Sequence, residues 1–254
     1  MADWTTFVLA FLAAVAAGSI NALAGGGTLI SFPALIALGL PALAANVTST
    51  VALCPGYIGA TWAQRKALAG KMKEMVVYIP VALIGGTAGG ILLILSGEKL
   101  FGQCVPWLIL FASLLLALQN PVRNRILHHG KEAGFKGKIL GLPVILLFLA
   151  AIYGGYFGAG VSVIILAVLG VVSADSITKL NAMKQALAFS ANISAGIYFV
   201  FTGKVNWSFA LVMAAGALAG GTLGGMLAGR IAPALLRWTI IVIGITLSII
   251  YFLK

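Results

Sequence analysis

The chain has 254 residues, of which 61% are apolar and only 8% are charged. A water-soluble domain usually carries about 25% charged residues and about 45–50% apolar ones, so this composition excludes a soluble globule and indicates a lipid-facing exterior. The formal net charge is +11, but no basic stripe with interleaved aromatic residues accompanies it, which argues against a nucleic-acid partner. We therefore attribute the basic excess to cytoplasmic loops of a protein whose partner is the lipid bilayer.

In chain order, hydropathy predicts eight helices long enough to cross a membrane, which takes about 20 apolar residues. The predicted spans are 5–24, 43–63, 74–95, 101–119, 139–157, 180–202, 206–229 and 233–253. The first span contains no Lys or Arg, so it is interpreted as a retained helix rather than a signal peptide. Two shorter apolar runs, 28–40 and 161–172, follow glycine-rich breaks and predict broken or re-entrant helices. The expected fold class is an all-α polytopic membrane protein.

The second half of the chain repeats landmarks of the first. The run GGTAGG at 85–90 recurs as GGTLGG at 220–225, and the same offset of 135 residues carries Asn46 onto Asn181. These two glycine runs predict close helix packing, because small residues let membrane helices approach and no charge or amide lies beside them. The ordered landmarks indicate a duplication. The expected organisation is a first transmembrane repeat at 1–119, a charged cytoplasmic loop at 120–138 and a second transmembrane repeat at 139–254.

Two arrangements of the repeats remain open. If the short helices do not cross the membrane, the halves are parallel and eleven of the sixteen Lys and Arg residues lie inside; if they cross, the halves are inverted and thirteen lie inside. The positive-inside rule favours the inverted arrangement, which is also a common plan of secondary transporters. In both arrangements the loops 64–73 and 120–138 face the cytoplasm, and the expected location is a bacterial-type inner membrane, crossed several times.

The glycine-rich breaks are the first candidate for a binding site. Consecutive glycines end a helix and leave backbone N–H groups without intrahelical partners. The N-terminus of the following helix carries about half a positive charge and can receive an anion. Breaks at equivalent positions of two halves predict the central site of a transporter, although close helix packing would also explain small residues there. The predicted site residues of the breaks are Gly25, Gly26, Gly27, Thr28, Gly158 and Gly160.

Polar residues within the predicted spans complete the expected site. Asn46 and Thr50 share one helical face at spacing i, i+4, as do Asn181 and Gln185. Lys184 is the only charged residue well within a predicted span, where a lysine is costly unless it is paired, solvated or snorkelled to the interface. An anionic substrate would pair with it, and snorkelling is the alternative. The predicted site residues of this group are Asn46, Thr48, Thr50, Asn181, Lys184 and Gln185.

Several functional classes lack their motifs. The chain contains no GxxxxGK[ST], HExxH or GxSxG sequence and no carboxylate pair within a span, so neither an enzyme, a cofactor nor a metal site is expected. Two rivals to a transporter remain: an anion channel, and a membrane-embedded enzyme using Cys54. The sequence leaves open the direction of transport, the coupling ion (proton or sodium) and whether the chain forms a homo-oligomer.

At the glycine breaks the chain resembles the TauE/SafE family of sulfite and organosulfonate permeases. The resemblance rests on GGGTLISFPAL at 25–35 with Asn46-Val47-Thr48 after it, and on YGGYFGAG at 153–160 with NAMK at 181–184. It covers about residues 8 to 252, and departs from the family pattern at Val161-Ser162, where a further glycine is common. The resemblance implies transport of a sulfur oxyanion or organosulfonate such as sulfite or sulfoacetate. With the paired breaks, it predicts a secondary transporter working by alternating access around a midplane site.

Overall fold

The computed structural model describes residues 4–23, 25–63, 65–129, 141–173, 175–227 and 233–253. Within these ranges every regular element is helical, as the expected all-α fold class requires. The elements are α1 (Trp4–Leu23), α2 (Thr28–Ala37), α3 (Ala42–Ala63), a 3₁₀ turn (Arg65–Leu68), α4 (Met72–His129), α5 (Leu142–Tyr156), α6 (Val161–Val172), α7 (Ile177–Val200), α8 (Trp207–Leu227) and α9 (Pro233–Phe252).

Length and composition make this a membrane protein. Three helical segments in the described ranges are long and apolar enough to cross a bilayer: Trp4–Ala22, Met72–Pro121 and Trp207–Gly224. Shorter apolar helices accompany them. Large apolar side chains such as Leu12 and Leu211 are more than half exposed on the outer faces of these helices. An exposed apolar surface of this kind is typical of a protein that contacts lipid.

The two spans predicted at 74–95 and 101–119 are the two helical arms of α4. The arms meet at Gly97, whose φ of 68° and ψ of 177° are not helical. Glycine adopts this positive φ without a steric penalty, so one residue redirects the chain between the two arms. The helix also continues through 120–129, in the stretch predicted as the charged loop; residues 130–138 of that stretch lie outside the described ranges.

Both short helices begin where the sequence predicts. α2 starts at Thr28 with 10 residues, and α6 starts at Val161 with 12. At 1.5 Å per residue they are about 15 and 18 Å long, against about 30 Å for the hydrocarbon core. Each is therefore about half a membrane crossing in length, and the prediction of two short helices after the glycine-rich breaks is confirmed.

Glycines lie where several helices pack most closely. The first arm of α4 packs against α5 and α7, and α8 packs against α1 and α3. A methyl group added at Gly89 would overlap the carbonyl oxygen of Ile152 in α5, and one at Gly86 would overlap that of Ala191 in α7. Gly220 of α8 lies equally close to a backbone carbonyl of α1. The prediction that the two glycine runs serve helix packing is confirmed at these positions.

A buried aromatic cluster holds the two breaks side by side. Phe32 of α2 and Phe157, which follows α5, lie with ring centroids 5.4 Å apart at 86°. Phe101, on the second arm of α4, is 6.1 Å from Phe32 at 74°. These edge-to-face geometries are favourable for aromatic pairs, and all three rings are fully buried. The cluster therefore ties the start of α2 to the end of α5.

A charged cluster joins the start of α4 to the link between α6 and α7. The Lys71 ammonium lies 2.5 Å from Oδ2 of Asp175 and 2.8 Å from Oε1 of Glu74. Burial raises the pKa of the Asp175 carboxyl, but the hydrogen bonds from Lys71 and Ser173 outweigh burial, so the pKa is below its usual value of 3.8. The acid stays ionised at neutral pH and keeps the two segments on one side of the molecule.

Candidate anion-binding site

The two helix breaks contact each other. A methyl group added at Gly25 would stand 2.5 Å from Cβ and 2.8 Å from Oγ of Ser162. A methyl group added at Gly158 would stand 3.7 Å from Oγ1 of Thr28. Each break thus places a glycine against a hydroxyl side chain of the other break. We call this place, formed by Gly25, Thr28, Gly158 and Ser162, the junction.

The backbone at the junction requires glycine. Gly25 has φ 80° and Gly158 has φ 81°, a left-handed conformation that costs other L-residues about 1–2 kcal/mol. The chain then enters α2 at Thr28 and α6 at Val161, so two helix N-termini meet here. Each carries about half a positive charge and backbone N–H groups that suit an anion.

Two buried polar atoms beside the junction have no hydrogen-bond partner among the described residues: Oδ1 of Asn46 and Oγ of Ser162. Asn46 is 0% exposed, and its Nδ2 donates to the carbonyl oxygen of Tyr156, the last residue of α5, at 2.9 Å. Ser162 is 1% exposed. Unpaired buried polar atoms are unusual in proteins, and their place beside two helix N-termini favours a binding role.

α7 carries further amides along one face. Oδ1 of Asn192 would stand 3.3 Å from a methyl group on Gly158, while its Nδ2 donates to the carbonyl oxygen of Ala188 at 2.8 Å. Gln185 lies seven residues earlier, two turns along the same face. It is 2% exposed, and within the described ranges its Nε2 has no hydrogen-bond partner. Asn181, one turn further, is half-buried.

Lys184 lies inside the protein. It is 6% exposed and has an interaction within the chain. A snorkelled lysine extends its ammonium to the aqueous surface, so the enclosed side chain does not fit the snorkelling alternative. Lys184 lies two turns before Ala191, on the face of α7 that packs against the first arm of α4, and not on the face of Gln185 and Asn192.

Two predicted residues of α3 form hydrogen bonds with the backbone instead. Oγ1 of Thr48 accepts a hydrogen bond from the backbone N–H of Asn206, just before α8, at 3.0 Å. Oγ1 of Thr50 donates to the carbonyl oxygen of Asn46 in its own helix at 2.9 Å. Thr48 thus joins α3 to the start of α8, and Thr50 has its hydrogen bond within α3.

The remaining predicted glycines let helices approach closely. A methyl group at Gly26 would stand 2.7 Å from Leu116 and one at Gly160 3.3 Å from Leu115, both on the second arm of α4. A methyl group at Gly27 would overlap a backbone carbonyl oxygen of α1. For these three glycines the packing alternative describes the observed contacts.

Ser162 is a site residue that the sequence pattern does not predict. The sequence does contain a signal, because Ser162 places a hydroxyl at the second position of α6 as Thr28 does at the first position of α2. In the family pattern Ser162 is only a departure from a glycine. The contact with Gly25 depends on how two distant segments pack, which no local pattern reveals.

Other places in the described parts of the chain offer less chemistry. No three His, Cys, Asp or Glu residues there lie close enough to hold a metal. Cys54 is buried, and its thiol donates to the carbonyl oxygen of Thr50 at 3.2 Å. A groove of about 510 Å³ between α1 and α8 is almost wholly apolar, with Trp4, Phe7 and Leu211 in its wall, and contains no predicted site residue.

Known proteins similar to this chain are membrane transporters by name. The family described as "Sulfite exporter TauE/SafE" matches residues 10–251. "Probable membrane transporter protein ORF9" of Sinorhizobium sp is 26% identical over 98% of this chain and 94% of its own length. "Probable membrane transporter protein YfcA" of Escherichia coli (strain K12) is 26% identical over 94% of this chain and 86% of its own. A "Probable membrane transporter protein" of Haemophilus influenzae is 27% identical over 84% and 81%. No solved structure matches the chain.

Proposed function

This chain belongs to the TauE/SafE family, and from that membership and the geometry of the junction we propose that it is a secondary transporter of a small anion in the cell inner membrane. A sulfur oxyanion or organosulfonate, such as sulfite or sulfoacetate, is the substrate class that the family description favours. The proposal assigns no enzymatic step, cofactor or metal to the chain. Binding occurs at the junction, with the polar face of α7 as its continuation.

One observation carries the proposal: two helix N-termini meet with a hydroxyl side chain from each break beside them. Gly25 faces Ser162, and Gly158 faces Thr28. Serine and threonine hydroxyls donate to oxyanions, and helix N-termini add partial positive charge without a side-chain cation. The unpaired Oγ of Ser162 is the donor that we assign to the anion.

The glycine–hydroxyl contacts support a two-fold repeat, and the Lys71–Asp175 ion pair supports its inverted arrangement. An offset of 133 residues relates Gly25 to Gly158, and an offset of 134 relates Thr28 to Ser162, so each contact is the counterpart of the other. The Lys71–Asp175 ion pair puts the loop 64–73 and the α6–α7 link on one side. In the parallel arrangement they would lie on opposite sides of the membrane.

Thiol labelling tests the inverted arrangement. Exposed positions 73, 99, 176 and 204 would each be changed to cysteine in a Cys104→Ser background and treated with an impermeant maleimide in intact cells. We expect cysteines at 99 and 204 to react, and those at 73 and 176 to react only after permeabilisation. Reaction at 99 and 176 in intact cells would establish parallel halves.

The close contact at the junction favours a carrier over a channel. Ser162 lies against Gly25 with no room for a methyl group, so an anion enters only when the two breaks separate. We propose that one group of helices rocks against the other to open the junction to each side in turn. Such a carrier shows saturation and counterflow, whereas a channel shows neither.

Uptake into proteoliposomes tests the binding role of the junction. Ser162→Ala is expected to lower the efficiency of radiolabelled sulfite uptake by about 10–100-fold, because a hydrogen bond to a charged group contributes about 1.5–3 kcal/mol. Thr222→Ala is the matched control, since its hydroxyl is exposed and donates within α8. Equal uptake by Ser162→Ala and the wild type would show that the anion does not bind at the junction. Unchanged uptake by Lys184→Ala would show only that Lys184 does not take part in anion binding.

A further inference from the structure

The positive charge available at the junction is that of two helix N-termini. α2 and α6 have 10 and 12 residues, and each N-terminus is equivalent to about half an elementary charge. Lys184 lies two turns before Ala191, on the face of α7 that packs against the first arm of α4, so we do not count its charge at the junction. The two helices together therefore balance about one negative charge.

The acids described in the structure lie elsewhere. Glu74 and Asp175 belong to the cluster around Lys71. Glu98 follows the Gly97 kink, and its carboxylate accepts a hydrogen bond from the backbone N–H of Leu43 at 3.1 Å. Each of these three carboxylates has a partner of its own, and none of these partners is a residue of the junction.

The free end of the Asn46 amide is an acceptor. The carbonyl oxygen of Tyr156 can only accept, so the group 2.9 Å from it must be the amide nitrogen of Asn46. Oδ1 of Asn46 is then the amide atom that has no hydrogen-bond partner among the described residues. A buried acceptor without a donor costs about 1–3 kcal/mol. A fully deprotonated dianion offers only further acceptors, which repel Oδ1.

From these two observations, and resting on the anion transport proposed above, we infer that the substrate carries a single negative charge and a hydrogen-bond donor. Its oxyanion group binds between the two helix N-termini and accepts from Ser162. Its donor group, a hydroxyl or an acidic O–H, binds Oδ1 of Asn46. Hydrogensulfite and hydroxylated alkanesulfonates have this chemistry, whereas the sulfite dianion and sulfoacetate do not.

Three sulfonates distinguish the effect of the ligand's charge from the effect of its hydrogen-bond donor. 2-Hydroxyethanesulfonate has one charge and a hydroxyl, 1-propanesulfonate has the same charge and nearly the same shape without a donor, and sulfoacetate has two charges. Thermal-shift titrations of the purified full chain would measure each apparent dissociation constant, because a ligand stabilises the protein by RT ln(1 + [L]/Kd). We expect 2-hydroxyethanesulfonate to bind about fivefold more tightly than 1-propanesulfonate, as one hydrogen bond provides. Sulfoacetate is expected to bind most weakly.

An Asn46→Leu variant assigns the preference to one atom. The advantage of 2-hydroxyethanesulfonate over 1-propanesulfonate should disappear in this variant, whatever the change in the affinity for 1-propanesulfonate itself. The readout is a ratio within one protein preparation, so a lower yield does not affect it. If the variant does not fold, the ranking of the three sulfonates by the wild type still decides the question.

The outcomes are distinct. Equal binding of the two singly charged sulfonates, or tighter binding of sulfoacetate, would overturn the inference about the substrate and leave anion transport intact. Failure of all three sulfonates and of sulfite to shift the melting temperature would overturn the proposed function and this inference with it. Retention of the hydroxyl preference in Asn46→Leu would refute the role of Oδ1.

Discussion

Gly155→Ala is expected to lower the melting temperature of the purified protein by about 6–12 °C. Gly155 of α5 lies against Gly86 of α4, and a methyl group there would overlap the carbonyl oxygen of Gly86. A backbone atom cannot rotate aside as a side chain can, so α4 and α5 must move apart. Overpacking costs up to about 3 kcal/mol or more, and about 2–4 °C per kcal/mol is typical for chains of this size. Thermal unfolding in detergent would measure the change.

Gly102→Ala is the matched control for this prediction. Gly102 is also a helical glycine, but nothing lies within 4 Å of an added methyl group. Alanine is favoured over glycine in helices by about 1 kcal/mol, so this variant should melt at or slightly above the wild-type temperature. Equal melting temperatures for both alanine variants would show that α4 and α5 do not pack as described.

Gly25→Ala is expected to disrupt the junction. The positive φ of Gly25 (80°) costs alanine about 1–2 kcal/mol, and the new methyl group would stand 2.5 Å from Cβ of Ser162. Both effects separate the two breaks, so we expect the melting temperature to fall and the efficiency of sulfite uptake to drop more than tenfold. Thermal unfolding and proteoliposome uptake of the same preparation would measure the two effects.

Two further variants distinguish the effect of backbone strain at Gly25 from the effect of its steric clash with Ser162. Gly39→Ala has the same kind of strain, with φ 94°, but nothing lies within 4 Å of its methyl group. Gly25→Ala with Ser162→Gly keeps the strain and removes the colliding side chain. The double variant should melt near Gly39→Ala, yet still transport poorly because the hydroxyl is missing. A double variant no more stable than Gly25→Ala would mean that Ser162 is not the neighbour of Gly25.

Local patterns were enough to predict the helices. The short helices begin at Thr28 and Val161 as predicted, because consecutive glycines interrupt a helix through their own backbone freedom. The packing role of the glycine runs was also predictable, since small residues are what membrane helices use to approach. The spans predicted at 74–95 and 101–119 are two helical arms, and one positive φ at Gly97 joins them, because glycine adopts that conformation without a steric penalty.

The candidate site was predictable only in part. Gly25, Thr28, Gly158 and Asn46 were selected from sequence, and the structure brings them together beside the junction. Thr48 was selected for its polarity within a span, but its hydroxyl joins α3 to the start of α8. Polarity marks a side chain that needs a partner inside a membrane protein, and it does not tell which partner the fold supplies.

The sequence by itself determined that this chain enters a membrane, where its helices begin, and which glycines permit close contact, because hydropathy and backbone freedom act over a few residues. Only the tertiary structure decided that the two breaks face each other, that Ser162 lies against Gly25, and that Asn46 turns its carbonyl oxygen away from Tyr156. These contacts join segments more than a hundred residues apart. Their geometry follows from how whole helices pack, and no short stretch of sequence contains it.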